Sequence, residues 1–251
     1  LSQSSLIDLK EIVASYGRET KVGPFSFALD KSEFVALIGP NGSGKSTMIK
    51  AILGLVPIVS GRIQWNPQKV PVAYIPQRAR LNPQVPCTVR EFLEIQGDGA
   101  VAASALDWMS EIGLGREIFE KSVHSLSGGT LQRLLLTMAI RGPAKIIILD
   151  EGLEGLDPAA QEQAFRGLDE RVKAGALVIL VSHDITAVTS RATRVICISQ
   201  SVDFDGNPNS PEFHACLHRI YGEGSHIHDH AHHHQHNHRH GHGSGEGGPH
   251  E

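Results

Sequence analysis

Gly39-Pro40-Asn41-Gly42-Ser43-Gly44-Lys45-Ser46-Thr47 follows the apolar run Phe34-Val35-Ala36-Leu37-Ile38 and leads into Met48-Ile49-Lys50-Ala51-Ile52-Leu53. Strand, glycine loop and helix in that order fit G-x-x-x-x-G-K-[ST], the phosphate-binding P-loop. Gly39, Gly42 and Gly44 admit backbone conformations that a Cβ forbids. Successive N–H groups can then turn inward as an anion-binding nest, and the helix opening near Lys45 adds its positive end. In this reading Lys45 reaches the β- and γ-phosphates and Ser46 holds Mg²⁺.

The chain of 251 residues is long enough for one large α/β domain or two small ones, and 40% hydrophobic content supplies a core. Its net charge of −4 carries no electrostatic footprint for nucleic acid, so no nucleic-acid partner is expected. No apolar run approaches the roughly 18 residues of a membrane span. Ala176-Leu177-Val178-Ile179-Leu180-Val181 is typical of the longest and suits a buried strand. The start, Leu1-Ser2-Gln3-Ser4-Ser5, is polar and unlike a signal peptide, and Leu1 stands where an initiator methionine would. Cys87, Cys197 and Cys216 are widely spaced, with no C-x-x-C, and read as reduced thiols of a cytosolic protein.

Composition changes near Gly222. Of the 15 histidines only His124, His183, His214 and His218 precede it; the others crowd between His226 and His250, among small and polar residues. Such a segment has little to bury, so residues 1–222 are expected to be the globular domain and 223–251 a disordered tail.

Within the domain, Leu6 to Ala14 reads as a strand, Ser15-Tyr16-Gly17 as a turn, and Phe25 to Leu29 as a second strand. Ile63 to Trp65 and Val70 to Ile75 are further short strands. Helical spacing over Thr88 to Ile95 and Val101 to Ile112 makes residues 80–125 a small helical insert. Leu126-Ser127-Gly128-Gly129 precedes a helix predicted from Leu134 to about Ile140. Ile146 to Leu149 is a buried strand running into Asp150-Glu151. Asp157 as N-cap and Pro158 at the first position open a helix that Gly175 can close. A strand from Ala176 ends before Ser182-His183-Asp184, and Val195 to Ile198 is the last predicted strand. Alternating strands and helices argue for a largely parallel sheet. In such sheets ligands bind at the carboxyl ends of strands, so the P-loop, Asp150-Glu151 and His183 can converge.

This order of motifs over residues 6 to 222 resembles the ATP-binding cassette (ABC) ATPases. The specific element is Leu126-Ser127-Gly128-Gly129, which matches the family's signature motif. The resemblance implies a RecA-like parallel-sheet core with an antiparallel β subdomain and a small α-helical subdomain. It also implies ATP and Mg²⁺ as cofactors. Carried over by position, Tyr16 looks like the aromatic that stacks on adenine, with Gly39 to Thr47 around the phosphates. Ser127, Gly128 and Gly129 would bind the γ-phosphate of ATP held by a second copy. Ser46, Gln77 and Asp150 would serve Mg²⁺. Glu151 would be the general base, while Lys45, Gln77 and His183 complete the catalytic set. Asp157 matches the loop that crosses between subunits. Implied partners are a second cassette, integral-membrane permease subunits and an extracytoplasmic metal-binding protein, with the chain on the inner face of the cell membrane.

Departures from the family pattern are Thr130 for a usual Gln, Gly152-Leu153 for Pro-Thr, and Ser32 for a turn glycine. His226, His228, His230, His232, His233, His234, His236, His238, His240 and His242 offer imidazoles suited to Zn, Ni, Cu or Co. Asp229, Ala231, Gln235, Asn237 and Arg239 interrupt them, unlike an expression tag. His214, Cys216 and His218 are read as ordinary helix packing. Ile75-Pro76-Gln77, Cys87 to Leu93 and Glu154-Gly155-Leu156-Asp157 are similar to importers of zinc and manganese. The reading is therefore the ATPase of a zinc-type importer, with manganese, nickel or cobalt as alternative cargo. A metal-delivery P-loop GTPase shares the loop and the tail but needs an N/T-K-x-D motif, which is absent. A repair or translation cassette would carry paired cassettes or long inserts.

Overall fold

The computed structural model describes residues 5–16, 20–67, 70–77, 79, 81, 86–96, 108–110, 112–183, 185 and 189–222. Two sheets organise them. Strands β1 (Ser5–Tyr16), β2 (Thr20–Asp30) and β4 (Ile58–Trp65) form an antiparallel sheet in the order β2-β1-β4. The second sheet has six strands in the order β5-β6-β7-β3-β8-β9. Its members are β3 (Phe34–Ile38), β5 (Val72–Ile75), β6 (Ile146–Asp150), β7 (Leu177–Val181), β8 (Arg194–Ile198) and β9 (Val202–Gly206). All neighbours in it are parallel except β8 and β9.

The unbroken apolar strands follow from burial on both faces. In β3, Phe34, Ala36 and Ile38 join one core while Val35 and Leu37 join the other. In β6, Ile147 and Leu149 divide from Ile146 and Ile148 in the same way, as a period of two requires. One face is covered by α1 (Lys45–Ile52) and the antiparallel sheet, through Met48, Ile49, Ile7, Leu9 and Phe25. The other is covered by α3 (Gly128–Arg141), α4 (Pro158–Lys173) and α5 (Pro211–Tyr221).

The helical insert packs onto the same core through Trp108, Met109, Ile112 and Leu114. Its first helix, α2 (Val89–Gln96), opens on a capping box. The Glu91 carboxylate accepts from Thr88 N at 2.8 Å, and Thr88 Oγ1 accepts from Glu91 N at 3.2 Å. The expected helix over 101–112 lies largely outside the described residues, although 108–110 are helical.

Four sequence expectations need correction. Ser15 and Tyr16 are not a turn but the end of β1, paired with Lys21 and Thr20 of β2. β1 is the central strand of its sheet, and ladder bonds on both sides outweigh its polar ending. The helix expected from Leu134 begins at Gly128, because Ser127 caps it and Leu131 and Leu134 already bury its first turns. Val195 to Ile198 is not the last strand: β9 follows as an antiparallel edge. The short strands at 25–29 and 63–65 are each longer than expected, extended by pairing with β1.

Ser32, where a turn glycine was expected, adopts φ 58 between β2 and β3. Near the C-terminal end of the described residues Cys216 is buried, while His214 and His218 face outward, in keeping with ordinary packing of α5. The three cysteines are free thiols. Among the described residues no helix is long and apolar enough to cross a membrane.

Candidate functional site

Strand β3, in the middle of the parallel sheet, delivers its last residue straight into the glycine loop. Gly39 has φ 152, and a Cβ there would stand 1.9 Å from the Ile198 carbonyl oxygen. Gly44 has φ 99, and a Cβ there would press on the Val22 side chain at 2.8 Å. The loop is thus wedged between β8 and β2, and glycine is what fits. Ser43 N donates to Pro40 O at 3.2 Å, folding the loop back before α1 begins at Lys45.

Lys45 is buried, and its ammonium donates to Gly39 O at 2.7 Å and to Pro40 O at 2.9 Å. Burial holds it below the ordinary lysine pKa, opposed by the carboxylates of Glu151 and Asp150. Ser43 Oγ is buried with no hydrogen-bond partner among the described residues. An orphaned hydroxyl in a loop at a helix N-terminus is suited to a phosphate oxygen, so the loop fits a nucleotide's phosphates.

Strands β6 and β7 end beside it. Asp150, the last residue of β6, is buried; its Oδ1 accepts from Ser46 Oγ at 2.9 Å and its Oδ2 from Tyr74 OH at 3.4 Å. Desolvation lifts its pKa, the Ser46 hydrogen bond opposes that, and the Glu151 charge adds to it. Tyr74 is likewise pushed up, first by burial and then by Asp150. A serine hydroxyl facing a carboxylate offers the hard oxygen ligands that Mg²⁺ takes.

Glu151 leaves the strand with φ 59, a left-handed conformation uncommon outside glycine, while its N–H donates to Val181 O at 2.9 Å. Such strain persists where surrounding structure enforces it, and it aims the carboxylate into the cleft. Its Oε2 accepts from Gln77 Nε2, and its Oε1 lies 3.8 Å from His183 Nδ1. The same Nδ1 is 3.1 Å from Glu154 Oε1.

The resulting cleft, about 590 Å³, is lined by Val22, Asn41, Gly42, Gly44, Lys45, Ser46, Thr47, Gln77, Glu151, Glu154 and His183. That volume falls in the range of small-molecule sites, about 300–1,000 Å³. Most of the residues expected at the phosphates, and Gln77, Glu151 and His183, are therefore together, with Asp150 beneath them on Ser46. Ser127, Gly128 and Gly129 are not; they are exposed at the start of α3, outside this cleft. Tyr16 closes β1, but its side chain lies outside the described residues, as do the histidines from His226 to His242.

The loop after Glu151 is firmly held. Gln132 donates to Gly152 O at 2.9 Å and Gln161 to Leu153 O at 3.2 Å, and Leu153 is buried. A Cβ on Gly152 would touch Leu149 at 3.3 Å, which accounts for a small residue there. Asp157 caps α4 through Ala160 N at 3.0 Å and accepts from Arg133 at 2.8 Å. Arg133 also donates to Ile112 O at 2.8 Å, joining α3, this loop and the helical insert.

Val22, Tyr74 and Glu154 were not expected at this site from sequence, although Glu154 opens a stretch noted for its likeness to metal importers. Val22 and Tyr74 carry no local signal, since only the packing of β2 and β5 brings them in. Glu154 had one: an acid three residues after Glu151, in a turn that faces the His183 loop.

The family model for ABC transporters matches residues 22–154. The zinc import ATP-binding protein ZnuC of Cereibacter sphaeroides is 33% identical over 228 residues, covering 88% of this chain and 90% of that one. The protein of the same name from Pseudomonas entomophila is 31% identical over 222 residues, covering 88% and 85%. Among solved structures, an ATP-binding subunit of an ABC transporter superposes with TM-score 0.73 at 25% identity, over 81% of this chain and 90% of that one. A bacterial Atm1-family ABC exporter with ATP bound shares the fold, with TM-score 0.71 at 19% identity, over 87% of this chain and 40% of the other.

Proposed function

The chain belongs to the ABC transporter family as its ATP-binding, ATP-hydrolysing subunit, and from that premise we propose that it powers the import of a divalent transition-metal ion, zinc, through a membrane permease. The observation that carries the zinc reading is the likeness, over 88% of the chain, to relatives named for zinc import. Hydrolysis is supported by the convergence of Lys45, Gln77, Glu151 and His183 in one cleft.

Bound Mg-ATP supplies the γ-phosphoryl group and the cation that neutralises it. Around it, Gly39 to Thr47 cradle the phosphates with backbone N–H groups, and Lys45 adds a positive charge. Ser46 and Asp150 would hold Mg²⁺, with Gln77 beside them. Glu151 orients and deprotonates the attacking water, and a positioned base of this kind contributes about 10²–10⁴-fold. His183 would contact the γ-phosphate, and Tyr16 would stack on adenine.

Ser127, Gly128 and Gly129 lie outside the cleft of their own chain. Their exposure at a capped helix start supports a role toward nucleotide on a second copy, so that ATP closes a dimer and hydrolysis loosens it. The partners are then permease subunits and an extracytoplasmic metal-binding protein, and the chain works at the inner face of the membrane. The tail histidines bind the imported ion, as a buffer or as a reporter of its level.

The test is zinc uptake into vesicles carrying the chain and its permease. Uptake that requires ATP, and that stops with Glu151→Gln, supports the reading. ATP-driven uptake of manganese or nickel with zinc excluded would reassign the cargo, and preference for GTP would refute the assignment.

A further inference from the structure

Glu151, Glu154 and His183 bring one ligand atom each within 4.8 Å of one another, in the wall shared by the nucleotide cleft and an adjoining cleft. We propose that this triad is a second, inhibitory site for the transported ion, through which a divalent transition metal such as Zn²⁺ shuts down ATP hydrolysis. The proposal rests on the reading of Glu151 as the base.

The geometry suits such an ion. Ligands about 2.0–2.1 Å from a tetrahedral centre stand roughly 3.3 Å apart. His183 Nδ1 is 3.1 Å from Glu154 Oε1 and 3.8 Å from Glu151 Oε1, bracketing that edge. A plain His183–Glu154 ion pair explains the first distance but does not call for Glu151 Oε1 beside the same nitrogen. Glu151 also divides its oxygens: Oε2 accepts from Gln77, while Oε1 turns toward the imidazole. An imidazole nitrogen and two carboxylate oxygens are ligand types that zinc takes, and a fourth position is open to the cleft. Mg²⁺ demands octahedral oxygen ligation and dehydrates reluctantly, so the cofactor cation is a poor competitor there.

Occupation would have a direct consequence. Glu151 Oε1 could no longer take a proton from water, and His183 Nδ1 would be tied to the metal. Hydrolysis would then slow as free metal rises, which is feedback from cargo onto its own pump. Glu154 is the residue that sets this apart from ordinary catalysis, since it adds the third ligand.

The test uses the full chain, tail included, with free Zn²⁺ clamped by a chelator buffer so that tail histidines cannot alter it. Zn²⁺ bound per chain is counted by equilibrium dialysis, and hydrolysis of Mg-ATP is followed, each form scaled to its own zinc-free rate. Glu154→Ala is expected to bind about half an equivalent less at the concentration that half-inhibits the unaltered chain, where the triad is half filled, and one equivalent fewer at saturating free Zn²⁺ short of its own midpoint. Its inhibition midpoint should rise at least about tenfold, on the scale lost when a metal site's supporting groups are removed. Equal stoichiometry and an unmoved midpoint would place the inhibition outside the triad and overturn the proposal. A preparation without any hydrolysis would defeat the reading of Glu151 as the base, and the dialysis count would still decide whether the triad binds metal.

Discussion

Replacing Asp150 by asparagine is expected to stabilise the nucleotide-free fold while abolishing Mg²⁺-dependent hydrolysis. Burial lifts the Asp150 carboxyl above its ordinary 3.8. The unfolded chain therefore releases this proton at lower pH than the folded chain, and stability is lost as pH rises from about 3.8 through the folded value. At neutral pH the carboxylate is a net cost, whereas an asparagine oxygen can still accept from Ser46. Thermal melts should show a higher Tm for Asp150→Asn at pH 7, the gain shrinking as pH is lowered; a lower Tm at pH 7 would contradict this account. Gly39→Ala should destabilise more than Gly44→Ala, because the first meets a backbone carbonyl at 1.9 Å and the second a movable Val22 side chain at 2.8 Å. Both positions have positive φ, which strains any L side chain, and at Gly39 the unyielding carbonyl adds to it. At this scale the glycine loop, Asp150, Glu151 and His183 were legible in sequence because each ends an apolar strand, which fixes where it must lie. Glu154 and Tyr74 were not, since their proximity depends on turn geometry and strand order.

At the level of elements, α3 has two requirements at one residue. Ser127 Oγ accepts from Thr130 N at 3.3 Å and so caps the helix locally, while its exposed position is the proposed contact with nucleotide on a second copy. Ser127→Ala should lose about 1 kcal/mol of stability, the usual worth of a cap. Ser127→Asp should keep the cap yet abolish hydrolysis, because it aims a carboxylate at a phosphate. Chemical denaturation and ATPase rates measured together separate the two; normal hydrolysis by Ser127→Asp would count against the cross-subunit role. Periodicity found most elements here, and missed those whose limits come from pairing. Val202-Asp203-Phe204-Asp205-Gly206 alternates cleanly, but its polar face hid an edge strand that only β8 makes possible. Ser15-Tyr16 looked like a turn because nothing local reveals that β1 has a neighbour on each side.

For the whole molecule, Glu151→Gln should form a dimer in saturating ATP and Mg²⁺, seen by light scattering, while the nucleotide-free form stays monomeric. A persistent monomer would argue against ATP held between two cassettes. Deleting residues 225–251 should leave basal ATPase activity intact, because the proposed base and phosphate cradle lie in the cleft lined by residues between Val22 and His183; lost activity would make the tail part of the catalytic unit. The largely parallel sheet with its helices was visible in the strand–helix alternation, but the way its segments are bolted together was not. Arg133 illustrates this, with one hand on Asp157 and the other on the Ile112 carbonyl. A guanidinium gripping two segments from a third acts as a tie rod, so a swing of the insert is expected to drag the Asp157 loop along. Chimaeras that transplant the insert from another cassette should thus stall unless arginine and aspartate travel with it as a pair.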